Sequence, residues 1–203
     1  MERVKTDNAL VCITGGMGSG KSVVSRCLRL EGWPVYDCDL EARRLMESDP
    51  ALRAAIEGIL GSDCYGSDGC LDRRRVASLI FNSDELRMAV NSVVHGAVRR
   101  DILSWRDSNG SPLLFVETAI PVTSGITGIV DRIWLVEAPE PVRVRRVKAR
   151  NGFDIDEIRR RIKAQEAEWE ALETCSYIDR IVNDDSCSVI GRISNLIDGL
   201  CNI

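Results

Sequence analysis

The sequence predicts an α/β protein: a three-layer core around a five-stranded parallel sheet, with an inserted helical subdomain and a helical lid. Three observations carry this expectation. Five short apolar runs rich in β-forming residues recur along the chain, with helical patterns between them. A glycine-rich turn joins the first run to a helix, giving a strand–helix–strand opening. The stretch 40–107 offers only helical patterns, as an insertion would.

The elements follow in order. Residues 9–14 (ALVCIT) form a buried strand bounded by Gly15-Gly16. Residues 19–30 place Val23, Val24, Cys27, Leu28 and Leu30 on one helical face. Gly32 ends that helix, and 34–36 restart as a short strand closed by Asp37. Residues 40–60 and 73–105 read as helices around a loop at 61–69 rich in Gly, Asp, Ser and Cys. Strands return at 112–117 (PLLFVE) and 131–136 (DRIWLV). A basic helix spans 141–150, Asn151-Gly152 breaks it, and a second helix runs over 156–172. A last strand at 179–183 (DRIVN) precedes a C-terminal helix starting at Val189. The expected organisation is one domain over 1–203. Its core is 1–39, 108–141 and 173–203, its insertion 40–107 and its lid 142–172.

Composition narrows the function classes. The 203 residues are 29% charged and 44% hydrophobic, a globular balance. With 27 Lys plus Arg against 31 Asp plus Glu, the net charge is −4, a poor match to nucleic acid or a membrane surface. No apolar run reaches the roughly 18 residues of a membrane span. Residues 1–8 lack the apolar stretch of a secretory signal, so a cytoplasmic location is expected. The eight cysteines include no C-x-x-C pair, and His95 is the only histidine, which disfavours a Cys/His zinc site. Free thiols are expected, with a Cys64–Cys70 disulfide as the alternative.

Gly15-Gly16-Met17-Gly18-Ser19-Gly20-Lys21-Ser22 fits G-x-x-x-x-G-K-[ST] at every fixed position, between a strand and a helix. The glycines let backbone N–H groups face phosphate oxygens, and the helix adds free N–H groups and the positive end of its dipole. Lys21 is placed for the β- and γ-phosphates and Ser22 for Mg²⁺. The pattern implies binding of a nucleoside triphosphate with Mg²⁺, and no tightly bound organic cofactor. No N-K-x-D motif is present, and no apolar run ends in paired Asp-Glu, so a GTPase and many motor-type ATPases are disfavoured. Small size and a helical insertion after the second strand suggest a small-molecule kinase.

Asp37-Cys38-Asp39 follows that second strand, at the edge where open parallel sheets bind ligands. Asp37 reads as a helix N-cap, and Asp39 as a carboxylate able to orient or deprotonate a hydroxyl. Residues 142–163 carry nine bases against three acids, a local charge of +6. Arg146 and Arg150, four apart, share a helix face and can reach phosphate oxygens. The break at Asn151-Gly152 suggests that the segment moves.

These residues together resemble the dephospho-coenzyme A kinase family. The loop resembles its TGGIGSGKS, and Val35-Tyr36-Asp37-Cys38-Asp39 with Ala42-Arg43 its V-x-D-A-D…A-R. Asp68-Gly69-Cys70-Leu71-Asp72-Arg73 is similar to D-G-x-L-D-R, and Ile80-Phe81 to the I/V-F that follows it. Val94-His95 falls at H-P, Arg146–Arg150 at R-L-x-x-R, Arg161–Gln165 at R-I-x-x-Q, and Ile181-Val182-Asn183-Asp184 at V-I-x-N-D/G. The resemblance implies a P-loop core with a CoA-binding helical insertion and a lid. It implies transfer of the ATP γ-phosphate to the ribose 3′-hydroxyl of dephospho-CoA, by a monomer or small homo-oligomer.

Carried over, Lys21, Asp39 and Arg150 are catalytic: Asp39 as base or orienting group, Arg150 on the transferring phosphoryl group with Arg146 in support. ATP would be held by Gly16, Met17, Gly18, Ser19, Gly20, Lys21, Ser22, Val23, Arg146, Arg150 and Asn183. The acceptor would meet Asp39, Arg43, Arg73, His95 and Glu117. Surface ion pairing is the competing reading for Arg43 and Arg73, and a structural hydrogen bond for His95. Two departures stand out. Gly96 replaces the family's proline, and Thr123 replaces a glutamate in the stretch Glu117–Thr123. The alternatives are a kinase for another small hydroxyl or nucleotide acceptor, and a non-catalytic ATP-binding switch.

Overall fold

The computed structural model describes residues 8–201. Residues 1–7, on which the reading of a missing secretory signal falls, and the Cys201 side chain lie outside the described residues. The chain divides into two compact units, 1–36 with 106–203, and 37–105.

The first unit is built on a five-stranded sheet of β1 (Ala9–Thr14), β2 (Val35–Asp37), β3 (Leu113–Glu117), β4 (Arg132–Glu137) and β5 (Ile178–Val182). Their order is β2-β3-β1-β4-β5, and β1 runs parallel to both β3 and β4, as β4 does to β5. The central strands are apolar through their buried middles because both faces are covered, with polar residues (Thr14, Glu117, Arg132, Glu137) only at their ends. Val11, Ile13, Phe115, Trp134 and Ile181 pack against Val24 and Leu28 of α1 (Lys21–Leu30) and Ile193 of α9 (Val189–Cys201). Leu10, Cys12, Leu114, Val116 and Ile133 alternate with the first set and are also fully buried. The loops at the C-terminal ends of β1, β3, β4 and β5 therefore share one edge.

Three stretches that read as single helices are divided. Residues 40–60 form α2 (Cys38–Ser48) and α3 (Pro50–Leu60). Asp49 ends the first and caps the second, accepting from Ala51 N at 2.9 Å, while Pro50 fills the first helical position. Residues 73–105 form α4 (Arg73–Phe81) and α5 (Asp84–Asp107), the latter begun by Ser83 Oγ accepting from Leu86 N at 3.2 Å. Beyond β4, α6 (Glu140–Asn151) ends at Gly152, whose φ of 68° closes the helix as a left-handed cap. The expected helix over 156–172 is two, α7 (Ile155–Lys163) and α8 (Glu166–Leu172), separated at Ala164-Gln165.

In the second unit, residues 61–69 are more ordered than their composition suggests. A short 3₁₀ turn (Ser62–Cys64) leads into an isolated antiparallel bridge between Tyr65 and Leu71. The Tyr65 hydroxyl donates to Met46 O at 2.7 Å, and the Arg53 guanidinium lies 4.3 Å from its ring centroid. Cys64 and Cys70 are both free, as are the other described cysteines, so no disulfide closes this loop. Among the described residues no helix is long and apolar enough to cross a membrane.

At the opposite edge of the sheet from the glycine-rich loop, Arg106 is buried and fully engaged. It donates to Asn8 O at 2.6 Å, Asn8 Oδ1 at 3.0 Å and Asp131 Oδ2 at 2.8 Å, and Asp131 Oδ2 also accepts from Leu10 N. Arg106→Met should cost about 2–3 kcal/mol, because it removes the charged donor that Asn8 and Asp131 share. The urea midpoint should fall with an unchanged slope while kcat/KM stays at the wild-type value.

Candidate active site

The loop between β1 and α1 needs three left-handed residues. Gly15, Gly18 and Gly20 adopt φ of 154°, 78° and 101°. At Gly20 the close approach of a neighbour adds a second demand: a Cβ would lie 2.1 Å from Asn183 Nδ2. Gly16 O accepts from Ser19 N within the loop and Gly20 O from the first turn of α1, and side chains hold the other carbonyls. Asn183 Nδ2 donates to Ser19 O at 2.8 Å, and Arg143 Nε to Met17 O at 2.8 Å. Arg146 Nη1 spans Ser19 O and Gly18 O at 3.4 and 3.5 Å, and Lys21 Nζ folds back onto Gly15 O at 2.5 Å. Among the described hydrogen bonds, the N–H groups of Gly16, Gly18 and Gly20 have no protein acceptor, whereas Met17 N donates to Gln165 Oε1 at 2.8 Å. The loop thus turns open N–H groups outward from a frame of cationic and amide donors, the arrangement that takes phosphate.

Arg146 sits in a tight network rather than on a bare surface. Its guanidinium donates to Asn183 O at 3.0 Å, Asn183 Oδ1 at 3.2 Å and Asp185 Oδ1 at 2.6 Å, while Arg145 takes Asp185 Oδ2 at 2.5 Å. Asp185 is the single non-glycine residue with positive φ among those described, at 72°. Its hydrogen bond from Arg146 holds its carboxyl below the usual range. Arg150 lies exposed in the last turn of α6, its Nε donating to Asn151 Oδ1 at 2.9 Å. Ser22 and Val23 are exposed in the first turn of α1, which leaves the Ser22 hydroxyl open for a cation. Glu117 ends β3 and is half-buried.

The remaining site candidates lie in the second unit. Asp37 is the N-cap of α2, accepting from Asp39 N at 3.1 Å and Leu40 N at 3.0 Å. That leaves Asp39 exposed in the first turn with its carboxylate uninvolved in capping. Arg43 is exposed on α2, Arg73 pairs with Glu47 at 3.2 Å, and His95 is half-buried on α5. The helix runs through Gly96 without a break, so it has no need of proline there.

Three participants escaped sequence reading. Arg143 lies three residues before Arg146, on the same face of α6. A Cβ on Gly16 would meet its Nη2 at 2.2 Å, and that nitrogen is buried with no partner. Burial lowers its pKa from the ordinary arginine value. A cavity of about 240 Å³ beside it is lined by Gly16, Ser19, Arg143, Trp169, Glu173 and Arg180 among others. Gln165, within the R-I-x-x-Q stretch, reaches Met17 N. Glu168, to which no local pattern points, is buried and binds the loop after β3. Its Oε2 accepts from the Thr123 hydroxyl at 2.5 Å, and its Oε1 from Val122 N at 2.5 Å and Thr123 N at 3.2 Å. Thr123 therefore stands where a glutamate would face a second buried carboxylate.

A family model described as dephospho-CoA kinase matches residues 9–188. The chain belongs to the dephospho-CoA kinase family. It is 44% identical to the dephospho-CoA kinase of Porphyromonas gingivalis over 92% of this chain and 91% of that one. Against the Geobacillus kaustophilus dephospho-CoA kinase the identity is 32%, over 85% and 86% of the two chains. TT1252 from Thermus thermophilus, a crystal structure, is 32% identical with a TM-score of 0.78 and covers 95% of this chain and 97% of its own. The fold alone is shared with shikimate kinase from Bacteroides thetaiotaomicron, at 15% identity and a TM-score of 0.53 over 96% and 99% of the chains.

Two outcomes follow for this loop. Gly20→Ala introduces strain of about 1–3 kcal/mol plus the clash with Asn183, so Mg-ATP affinity should fall by about 10- to 100-fold in titration calorimetry. The depressed Asp185 pKa means its ion pairs are fully formed above the unfolded carboxylate pKa and are lost as pH falls through the lower folded value. Asp185→Asn should therefore lower Tm at pH 7, and its difference from wild type should shrink as pH falls below the ordinary carboxylate range.

Proposed function

We propose that this protein transfers the γ-phosphate of ATP to the ribose 3′-hydroxyl of dephospho-CoA, giving CoA and ADP. One observation carries the chemistry: a glycine loop whose carbonyls are held from behind and whose N–H groups face outward, in a chain of the dephospho-CoA kinase family. Lys21 neutralises the β- and γ-phosphates once its Nζ leaves Gly15 O. The exposed Ser22 hydroxyl fits Mg²⁺ arriving with the nucleotide, which supplies charge neutralisation across the phosphates when bound.

The acceptor 3′-oxygen attacks the γ-phosphorus as the bond to the β–γ bridging oxygen breaks. Asp39 orients the hydroxyl and takes its proton, and ADP leaves with the bridging electron pair. Arg150, exposed at the end of α6, is free to swing onto the transferring group, while Arg146 fixes the loop around Asn183. In this reading the unit 37–105 carries the acceptor, through Arg43, Arg73 and His95, with Glu117 contributing from β3. Residues 142–172 form the lid. The reaction takes place in the cytoplasm.

Release of ADP from Mg-ATP should be strong with dephospho-CoA and weak with adenosine, AMP or no acceptor. Turnover on another acceptor would move the chain to a different substrate, and tight ATP binding without turnover would make it a switch. Asp39→Asn should lower kcat by about two to four orders of magnitude with the ATP dissociation constant within about twofold of wild type. Unchanged turnover would remove Asp39 from its role.

A further inference from the structure

The start of α8 reaches two loops at once. Gln165 precedes the helix and takes the Met17 N–H of the phosphate loop through Oε1 at 2.8 Å. Three residues later, Glu168 takes two N–H groups and one hydroxyl of the loop after β3, at 2.5, 3.2 and 2.5 Å. The backbone bond from Glu168 N to Gln165 O at 3.2 Å fixes the spacing between these two side chains. Glu168 is buried, and its carboxyl oxygens are engaged by the Val122 and Thr123 donors. A buried carboxyl group held this way cannot drift from its donors without leaving buried polar atoms unpaired. Gln165 is separated from α7 only by the capping residue Ala164, and the basic residues of α7 belong to the lid segment.

We propose that Gln165 and Glu168 are positioning residues which tie the phosphate loop and the loop after β3 to the base of the lid as one mechanical unit. Neither touches reacting atoms. Gln165 holds the first half of the phosphate loop in register through Met17, and Glu168 holds the stretch that begins at Glu117. Movement of α8 is transmitted to both loops together, so nucleotide at one loop orders the other. The proposal rests on the reading of residues 15–22 as the ATP loop only for this last step. The mechanical link itself exists without nucleotide.

The experiment is residue-level amide exchange on the nucleotide-free full chain, followed by the same measurement with a non-hydrolysable ATP analogue. Gln165→Leu should speed exchange about tenfold or more at Met17 and also at Val122 and Thr123, which Gln165 does not touch. Gln165→Glu keeps an acceptor for Met17 N, so its nucleotide-free exchange should match wild type. Its added negative charge should still raise KM for ATP several-fold with kcat little changed. Glu168→Gln should loosen Val122 and Thr123 and, through α8, Met17. An exchange change in Gln165→Leu confined to Met17, or in Glu168→Gln confined to 122–123, overturns the link. So does a uniform rise across the whole chain in both variants, which would mark general destabilisation. If these link-specific changes appear but the analogue protects neither loop in wild type, the link stands and the ATP reading fails.

Discussion

A phosphate-binding loop faces a constraint that shapes everything around it: the N–H groups it offers to phosphate must stay open, so they cannot hold the loop together. Apart from Met17 N on Gln165 and Ser19 N on Gly16 O, its shape must come from its carbonyls. In this protein the carbonyls of Gly15, Met17, Gly18 and Ser19 receive donors from Lys21, Arg143, Arg146 and Asn183. Those donors come from α1, α6 and the end of β5, which the β2-β3-β1-β4-β5 order brings beside β1. The sheet order and the basic character of α6 are both consequences of that requirement. Arginine suits the task because one planar fork bridges several oxygens at fixed spacing.

The same frame explains why arginines of α6 behave differently although they stand on one helix. Arg146 is engaged by the loop, Asn183 and Asp185, while Arg143 holds Met17 O through Nε and keeps a buried Nη2 without a partner. Arg150, one turn further on, bonds among the described residues to its neighbour Asn151. The first two turns of α6 are tied to the loop, and its third packs Val147 on Ile158 and Ile162 of α7. Gly152 and the separation of α7 from α8 then give two places where backbone torsions can change at low cost.

Much of this was legible in the chain. The strands are short continuous apolar runs because both faces are covered, and such runs stand out without tertiary knowledge. The glycine loop is a local device, so its sequence states its geometry. Asp37 capping α2 was also readable, since capping involves residues two and three positions away. The helix breaks at Asp49-Pro50 and Ala164-Gln165 were obscured because apolar periodicity continues across them. Asp49 was the available signal, an acidic cap directly before proline. Arg143 could have been found by its i,i+3 relation to Arg146. Glu168 could not, because its partners at Val122 and Thr123 lie more than forty residues away and nothing near it in sequence reports them.

The distribution of thiols has a bearing on the acceptor's own chemistry. Dephospho-CoA ends in a sulfhydryl, and a protein rich in cysteine that handles such a molecule is exposed to mixed-disulfide capture. Cys12, Cys38 and Cys64 are buried, and burial pushes the Cys12 and Cys64 thiols up from their ordinary values. Cys70 is exposed, but the neighbouring Asp68 raises it. Disulfide exchange runs through the thiolate, so these sulfurs make slow partners at neutral pH. At Cys70 the carboxylate that shapes the turn of the D-G-x-L-D-R stretch thereby also disfavours the thiolate that capture of a substrate sulfur would need.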